Sequence, residues 1–276
     1  MMITTLNRRT RTVIYSVIAI VLLVIPVLLA LLQSSSLLDT HLTERNQAPS
    51  LAHPFGTDWL GRDMLARTMK GLVLSLGVGL TAALASGIIA AALGLMAATL
   101  GRTVDRIITW LIDLFLSVPH LVLLILLAFV TGGGVKGVII AVGLTHWPSL
   151  ARLIRAEIMY LKTSEFVLIS EQMGRSKWWI ATRHLLPHLL PQFIVGTLLL
   201  FPHAILHEAS ITFLGMGFSP HQPAIGIILS ESMRYLSTGM WWLAFFPGLC
   251  LLIVVRAFDV LAENLHTLIS PHRSQE

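Results

Sequence analysis

Five stretches of this chain run for more than 20 residues without an Asp, Glu, Lys or Arg, and they restrict the fold before any other feature is considered. Residues 12–38, 71–101, 184–207, 209–230 and 235–255 are free of these charges, and 107–135 carries only Asp113. A helix needs about 20 apolar residues to cross the hydrocarbon core of a bilayer. Inside that core each backbone polar group must be satisfied by the structure itself, which a helix does within one segment. The run 209–230 is interrupted by Gly and Pro, so its first part reads as the end of the preceding helix and the rest as a loop. The pattern predicts six helices, at roughly 13–32, 72–100, 106–131, 137–160, 189–214 and 240–262. The expected fold is all-α and polytopic, solvated mostly by membrane lipid. Composition agrees: 12% of residues are charged, against about 25% in a soluble domain.

An even number of spans places both termini on one side. With that topology twelve Lys and Arg fall on the terminal side and six on the other, with Arg256 inside the last span. Basic residues concentrate on the cytoplasmic side, so both termini are expected there. The net charge of +5 is spread between spans as topology determinants, not gathered in a patch, and gives no sign of nucleic-acid binding. The expected organisation is a cytosolic N-terminus at 1–12, a first span at 13–32, an external loop at 33–70, a core of five helices at 71–265 and a cytosolic C-terminus at 266–276. Arg8, Arg9 and Arg11 precede an apolar run of full span length, so the first helix reads as an uncleaved span and not a signal peptide. The lone Cys250 reads as an inert thiol in the last span.

Between the fourth and fifth spans lies the one long polar segment, Glu165 to Pro187, with Glu165, Glu171, Arg175, Lys177 and Arg183 around a central Gly174. It reads as two short amphipathic helices joined at the glycine, which allows a sharp turn. Pro187 is placed to begin the next span, and Trp178 and Trp179 supply apolar anchors. The segment suits docking on a cytosolic partner; an ordinary interfacial helix is the plainer alternative.

The fifth span carries His203 and His207, four residues apart on one helix face, with Glu208 beside them and Pro202 expected to kink the helix. Ionisable groups at membrane depth usually face a bundle interior or a water-filled path. Neutral imidazole is a ligand for nickel, zinc and copper. His203 and His207 are therefore candidate metal ligands, and His146, His203, His207 and Glu208 candidates for a translocation path; a hydrogen-bonded core pair is the alternative. Asp113 and the Arg256–Asp259 pair read as structural, and His120 beside Pro119 is given no role. Trp110, Trp147, Trp241 and Trp242 read as interfacial anchors. Residues 215–239 read as a Gly- and Pro-rich external loop. No nucleotide-binding GxxxxGK[ST], HExxH, GxSxG or CxxC occurs in the sequence, so nothing in it points to covalent chemistry.

Several motifs carry a family resemblance. The segment Glu165–Pro187 resembles the coupling loop of bacterial ABC importer permeases: an acidic residue, an Ala-Ala pair that is Ile169-Ser170 here, Gly174 after three residues, and the closing His184-Leu185-Leu186-Pro187. In the expected order, HPFGTDWLGRDMLAR (53–67), DLFLSVP (113–119), HWPSLARLIRAE (146–157), FLGMG (213–217) and FPGLCLLIVVRAFDVLAENLHTLISPH (246–272) are similar to dipeptide, oligopeptide and nickel permeases. The usual Asn-Leu pair of the last stretch is Asp259-Val260. The resemblance implies half of a translocation pore, paired with a homologous second permease. It implies two cytosolic ATPase subunits that hold ATP and Mg, with no cofactor on this chain, and an external binding protein. Coupling within 163–187 would fall to Glu165, Ile169, Ser170, Glu171, Gly174, Trp178, His184 and Pro187. The signature Gly56, Thr57, Asp58, Gly61, Arg62 and Asp63 would form a lid, a docking surface or a loop cap. His146, His203 and His207 resemble the nickel branch, so a transition-metal ion or chelate is the expected substrate and short peptides the alternative. An ion-driven secondary transporter would want inverted repeats, which are not evident; a membrane scaffold without transport is a further reading.

Overall fold

The computed structural model describes residues 8–219 and 222–269, all in helices, turns and loops apart from one isolated bridge between Thr57 and Asp63. The helices are α1 (Arg8–Leu32), α2 (Met64–Thr99), α3 (Arg102–Ser117), α4 (His120–Val130), α5 (Gly134–Thr145), α6 (Trp147–Leu161), α7 (Glu165–Gln172), α8 (Lys177–Ile180), α9 (Leu186–Phe213), α10 (Ile225–Leu236) and α11 (Trp242–Ile269). Five stretches are long and apolar enough to cross a membrane: Thr10–Leu32, Met64–Thr99, Gly134–Leu161, Trp178–Phe213 and Trp242–Leu268. A sixth crossing exists if the pair α3–α4, bent by 98°, is one span.

The contacts decide that question. Along α2, a Cβ added to Gly94 would meet the Ala151 carbonyl and Ile154 of α6, and near its end the Ala98 carbonyl accepts from Lys162 at the end of α6. Gly143 of α5 sits against Ala85 and Ala82, further up α2. So α2 and α5–α6 run in the same direction, and the chain between residues 102 and 134 must return across the bilayer. Gly79 meets Ile205 and Gly87 meets Thr197, so α9 runs antiparallel to α2. At the end of α11 that lies level with the start of α1 (the inner end, the opposite one being the outer), Asn264 Nδ2 donates to the Thr12 carbonyl at 3.3 Å and to Ser16 Oγ at 3.1 Å. At its outer end Phe246 stacks on Phe55 of the first loop, with centroids 4.6 Å apart. Both ends of the described chain therefore lie on one side of six crossings.

Helix α2 is the hub. It packs against α1, α3, α5, α6, α9, α10 and α11. Its buried face is mostly small: Ser75, Gly79, Ala82, Ala83, Ser86, Gly87, Ala90, Gly94, Ala97 and Ala98. Lipid tails are as apolar as the side chains, so helices associate in a bilayer through close backbone approach, which small residues permit.

Several expectations are corrected. The helix expected at 106–131 is broken at Val118–Pro119. Proline disfavours helical geometry in the residue before it, and Val118 is extended (φ −84°, ψ 137°). The external loop ends at Asp63, which caps α2 by accepting from the Ala66 amide at 2.8 Å; residues 64–70 are helix. The expected loop 215–239 contains α10, whose Ile225, Ile227 and Ile228 are buried. Its Gly226 lies so close to α9 that a Cβ would be 2.4 Å from the Ala209 carbonyl. Trp147 is no interfacial anchor: it is buried at the α5–α6 junction, edge-on to Phe115. Helix α9 runs unbroken through Pro202.

With Cys250→Ala as background, cysteines placed at Ser50 and Thr238 should react with an impermeant thiol reagent from one face of the membrane, and a cysteine at Arg175 only from the other. Shared labelling of Ser50 and Arg175 would overturn the six-crossing path. Pro220, also expected outside, lies beyond the described residues.

Candidate functional site

Three groups of residues singled out in the sequence occupy three levels of the fold. At the inner end, α7 leaves the membrane helices and returns through α8. It closes with a paired hydrogen-bond cap: the Gly174 amide donates to the Glu171 carbonyl at 2.9 Å and the Arg175 amide to the Ser170 carbonyl at 3.1 Å. Such a cap needs a left-handed residue at its centre, and Gly174 has φ +75°. A Cβ there would meet nothing within 4 Å, so the constraint is the backbone alone. Val167 and Ser170 face inward. Ser170 Oγ is 2.8 Å from the Phe166 carbonyl and 3.0 Å from His184 Nε2. Phe166 stacks on His188, and Trp179 lies edge-on to His184 under the Arg175 guanidinium.

The opposite side of this loop is open. Glu165 and Glu171 are exposed, and so are Ile169 (54%), Met173 (72%) and Trp178 (77%). Only Trp178 of the tryptophan pair is an outward anchor, because Trp179 is folded under Arg175. The second short helix expected after Gly174 is not separate. α8 runs through a π-helical turn, Ala181–Leu185, directly into α9, with Pro187 in the first turn of that helix. π turns are rare and concentrate at functional positions.

Within the bundle, the pair His203–His207 gives way to a different set. His203 is exposed, and its carbonyl accepts from His207 Nδ1 at 2.9 Å. His207 instead meets His146 and His120, and each of the three offers a nitrogen within 4.8 Å of the others. His146 Nε2 is 3.1 Å from His207 Nδ1, and His146 Nδ1 is 2.9 Å from the Val142 carbonyl. Ring centroids are 4.6–5.0 Å apart, all edge to face. Proline places two of these rings. Pro119 ends α3 and makes His120 the first residue of α4; Pro148, in the first turn of α6, accompanies the bend at His146. His120 is the residue that sequence reasoning passed over. Its signal was a proline-histidine step inside an almost charge-free span. Glu208 is fully buried and outside the cluster, with Oε1 accepting from Thr212 Oγ1 at 3.0 Å.

At the outer end, Asp58 organises the first loop. Its Oδ1 accepts from the Leu60 and Arg62 amides at 2.8 and 2.9 Å, and its Oδ2 from Arg62 Nε at 2.7 Å and Arg67 Nη1 at 2.6 Å. Arg67 also reaches Glu231 of α10 at 2.9 Å. Asp63 Oδ2 is 2.8 Å from His53 Nδ1. Thr57 Oγ1 accepts from the Gln47 amide and donates to the Glu44 carbonyl. Gly61 is held against the His41 carbonyl and Gly56 against Gln47 and Trp242. The signature residues thus build the loop itself and tie it to α2 and α10. Trp59 is the member turned outward, bordering a 450 Å³ cavity with Phe218, Glu231, Arg234 and Tyr235. Asp113 and Asp259 make the expected ion pairs, with Arg152 at 2.7 Å and Arg256 at 3.2 Å.

This combination, a six-crossing helical bundle with a partly open loop at one end and a pinned loop at the other, is the architecture of a polytopic membrane protein. More particularly, the chain belongs to the family described as the binding-protein-dependent transport system inner membrane component, whose model matches residues 90–273. It is 34% identical to the dipeptide transport system permease protein DppC of Bacillus subtilis over 92% of this chain and 79% of that protein. It is also 34% identical to a putative peptide transport system permease protein of Brucella abortus, over 94% and 88%. Among solved structures it is similar to the MetNI methionine ABC transporter in an inward-facing crystal form, with a TM-score of 0.63 at 17% identity. That match covers 75% of this chain and 98% of that one.

Asp58 and Arg67 are 2% and 3% exposed. Removing one member of a buried pair costs up to about 3–5 kcal/mol where the other charge is left uncompensated; without Asp58, Arg67 keeps only the part-exposed Glu231. Asp58→Ala should therefore lower the thermal stability of the detergent-solubilised chain strongly. Asp39→Ala, at an exposed position of the same loop, should stay within about 0.5 kcal/mol. Equal melting of the two variants would remove Asp58 as the organiser.

Proposed function

We propose that this chain is one permease subunit of an ATP-driven importer of short peptides, in a bacterial inner membrane with both termini in the cytoplasm. The similarity that carries this reading is end-to-end: peptide-transport permeases align over more than nine-tenths of the chain. In this reading the chain forms half of the pore with a homologous second permease. Two ATPase subunits bind ATP and Mg, and a soluble binding protein delivers the peptide from outside.

The coupling surface is the α7–α8 loop. Support comes from its exposed Ile169, Met173 and Trp178, an apolar set between two spans, with Trp178 at the first residue of the Trp178–Phe213 stretch. Large exposed apolar groups of this kind mark interaction sites. The Gly174 cap fixes their relative placement, while Ser170 and His184 tie the loop to the base of α9. Movement of the docked ATPases then passes into α9, and from it to α2, against which α9 packs. Such a subunit works by exchange between two states that ATP and cargo bias in opposite senses. Nickel as cargo, favoured by the histidines in the sequence, has no counterpart in the names of the relatives described above.

The test is ATP-dependent uptake of a labelled dipeptide into vesicles carrying the complete importer. Gly174→Asp strains a left-handed position, where a side chain costs roughly 1–2 kcal/mol, and sets a charge at the docking face. Uptake should vanish while the chain remains in the membrane. Trp178→Ala should weaken retention of the ATPase without loss of this chain. Normal uptake by Gly174→Asp with ATPase still bound would overturn the coupling assignment. Uptake driven by an ion gradient without ATP would overturn the importer class.

A further inference from the structure

We propose that His120, His146 and His207 form a binding site for a divalent late first-row transition-metal ion, with one coordination position left for an anionic donor of an incoming chelate. The site stands on its own geometry and does not depend on the peptide reading above. Three separate elements converge to make it: the start of α4, the α5–α6 junction and the outer half of α9.

Its donor set is the first argument. Three imidazoles and no carboxylate suit zinc, nickel, cobalt or copper and not magnesium or calcium, which take oxygen ligands. Metal–nitrogen distances of about 2.0–2.1 Å put the donors of a tetrahedral site about 3.3 Å apart. One nitrogen of each ring lies within 4.8 Å of the others; because His207 Nδ1 donates to the His203 carbonyl, its Nε2 is the nitrogen with a free lone pair. Small ring rotations close the remainder.

The second argument is the hydrogen-bond inventory. His120 Nε2 is buried and has no partner. A buried polar atom left so is uncommon and costs roughly 1–3 kcal/mol. A cation between the rings supplies the missing partner. His146 has the outer support that metal-ligating histidines usually show: its Nδ1 lies 2.9 Å from the Val142 carbonyl, which leaves the Nε2 lone pair directed at the cluster.

The third argument concerns charge. Three neutral ligands leave the full double charge of the ion, which is unfavourable at membrane depth. Three protein ligands also leave a fourth position open. A carboxylate or deprotonated amide brought by a chelator fills that position and offsets the charge. The chemical class of ligand is therefore a metal chelate of amino-acid or peptide type. His203, outside the cluster, is dispensable for binding.

The experiment titrates Co²⁺ alone into the full-length chain, purified in lipid nanodiscs with its co-purifying subunits through a tag free of histidine. One Co²⁺ per chain should bind with the intense visible absorption of a tetrahedral site, and added glycinate should shift that spectrum. His120→Phe keeps a ring in place without a nitrogen, and with His207→Ala it should weaken binding by more than the roughly 10–100-fold that loss of an outer partner produces. His203→Ala should leave the spectrum unchanged. Size-exclusion and helical circular dichroism equal to the parent establish that the variants are folded. Absence of a stoichiometric spectrum, its persistence in folded His120→Phe, or its loss in His203→Ala would each overturn the site. Because the readout is binding, failed peptide uptake leaves its outcome unaffected.

Discussion

Close backbone approach along α2 is the contact on which the rest of the fold depends. Gly79 fits Ile205, Gly87 fits Thr197 and Gly94 fits the Ala151 carbonyl, each within distances that a side chain would occupy. In lipid no solvent drives helices together, so such contacts supply the attraction. They also fix register. Because α9 and α6 are both indexed against α2, the inner loop between them is held at a set height. The same indexing brings His207 on α9 level with the helix breaks that carry His120 and His146.

A second, polar constraint operates at the outer end. Asp58 gathers two backbone amides and two guanidinium groups, and Arg67 passes the connection to Glu231 on α10. Loop, α2 and α10 are thereby joined through Asp58 and Arg67, which are almost wholly removed from solvent, to the part-exposed Glu231. The two ends of the molecule therefore differ in character: the outer loop is closed on itself by ion pairs, and the inner loop leaves apolar side chains open.

The spans were legible because a bilayer demands long charge-free runs, and residues 71–101 or 235–255 meet that demand in isolation. The polar loop between α6 and α9 was legible in outline from Gly174 and its flanking charges. The break at Val118–Pro119 was visible as a proline but was read through, since the apolar run continues on both sides. Helix α10 was missed because Pro223 and Gly226 resemble loop punctuation, while Gly226 is there to let α10 approach α9. The histidine grouping was misjudged for a related reason. The spacing of His203 and His207 is a property of one helix, whereas His120, His146 and His207 meet only through the packing of α4, α5–α6 and α9. No local pattern encodes that meeting.

The π turn at Ala181–Leu185 has a consequence for how this region can change in length. A π turn carries one residue more than the α-helical turn it replaces, at almost the same axial rise. Deleting one residue there restores ordinary helix and keeps the α7–α8 loop and the span in phase. A deletion elsewhere in α9 would rotate everything beyond it by about 100° and turn the face that meets α2 toward lipid. The stretch from Ala181 to Leu185 is thus a built-in slack point, where a residue can be lost between the inner loop and the histidine level without changing their separation or re-indexing the bundle.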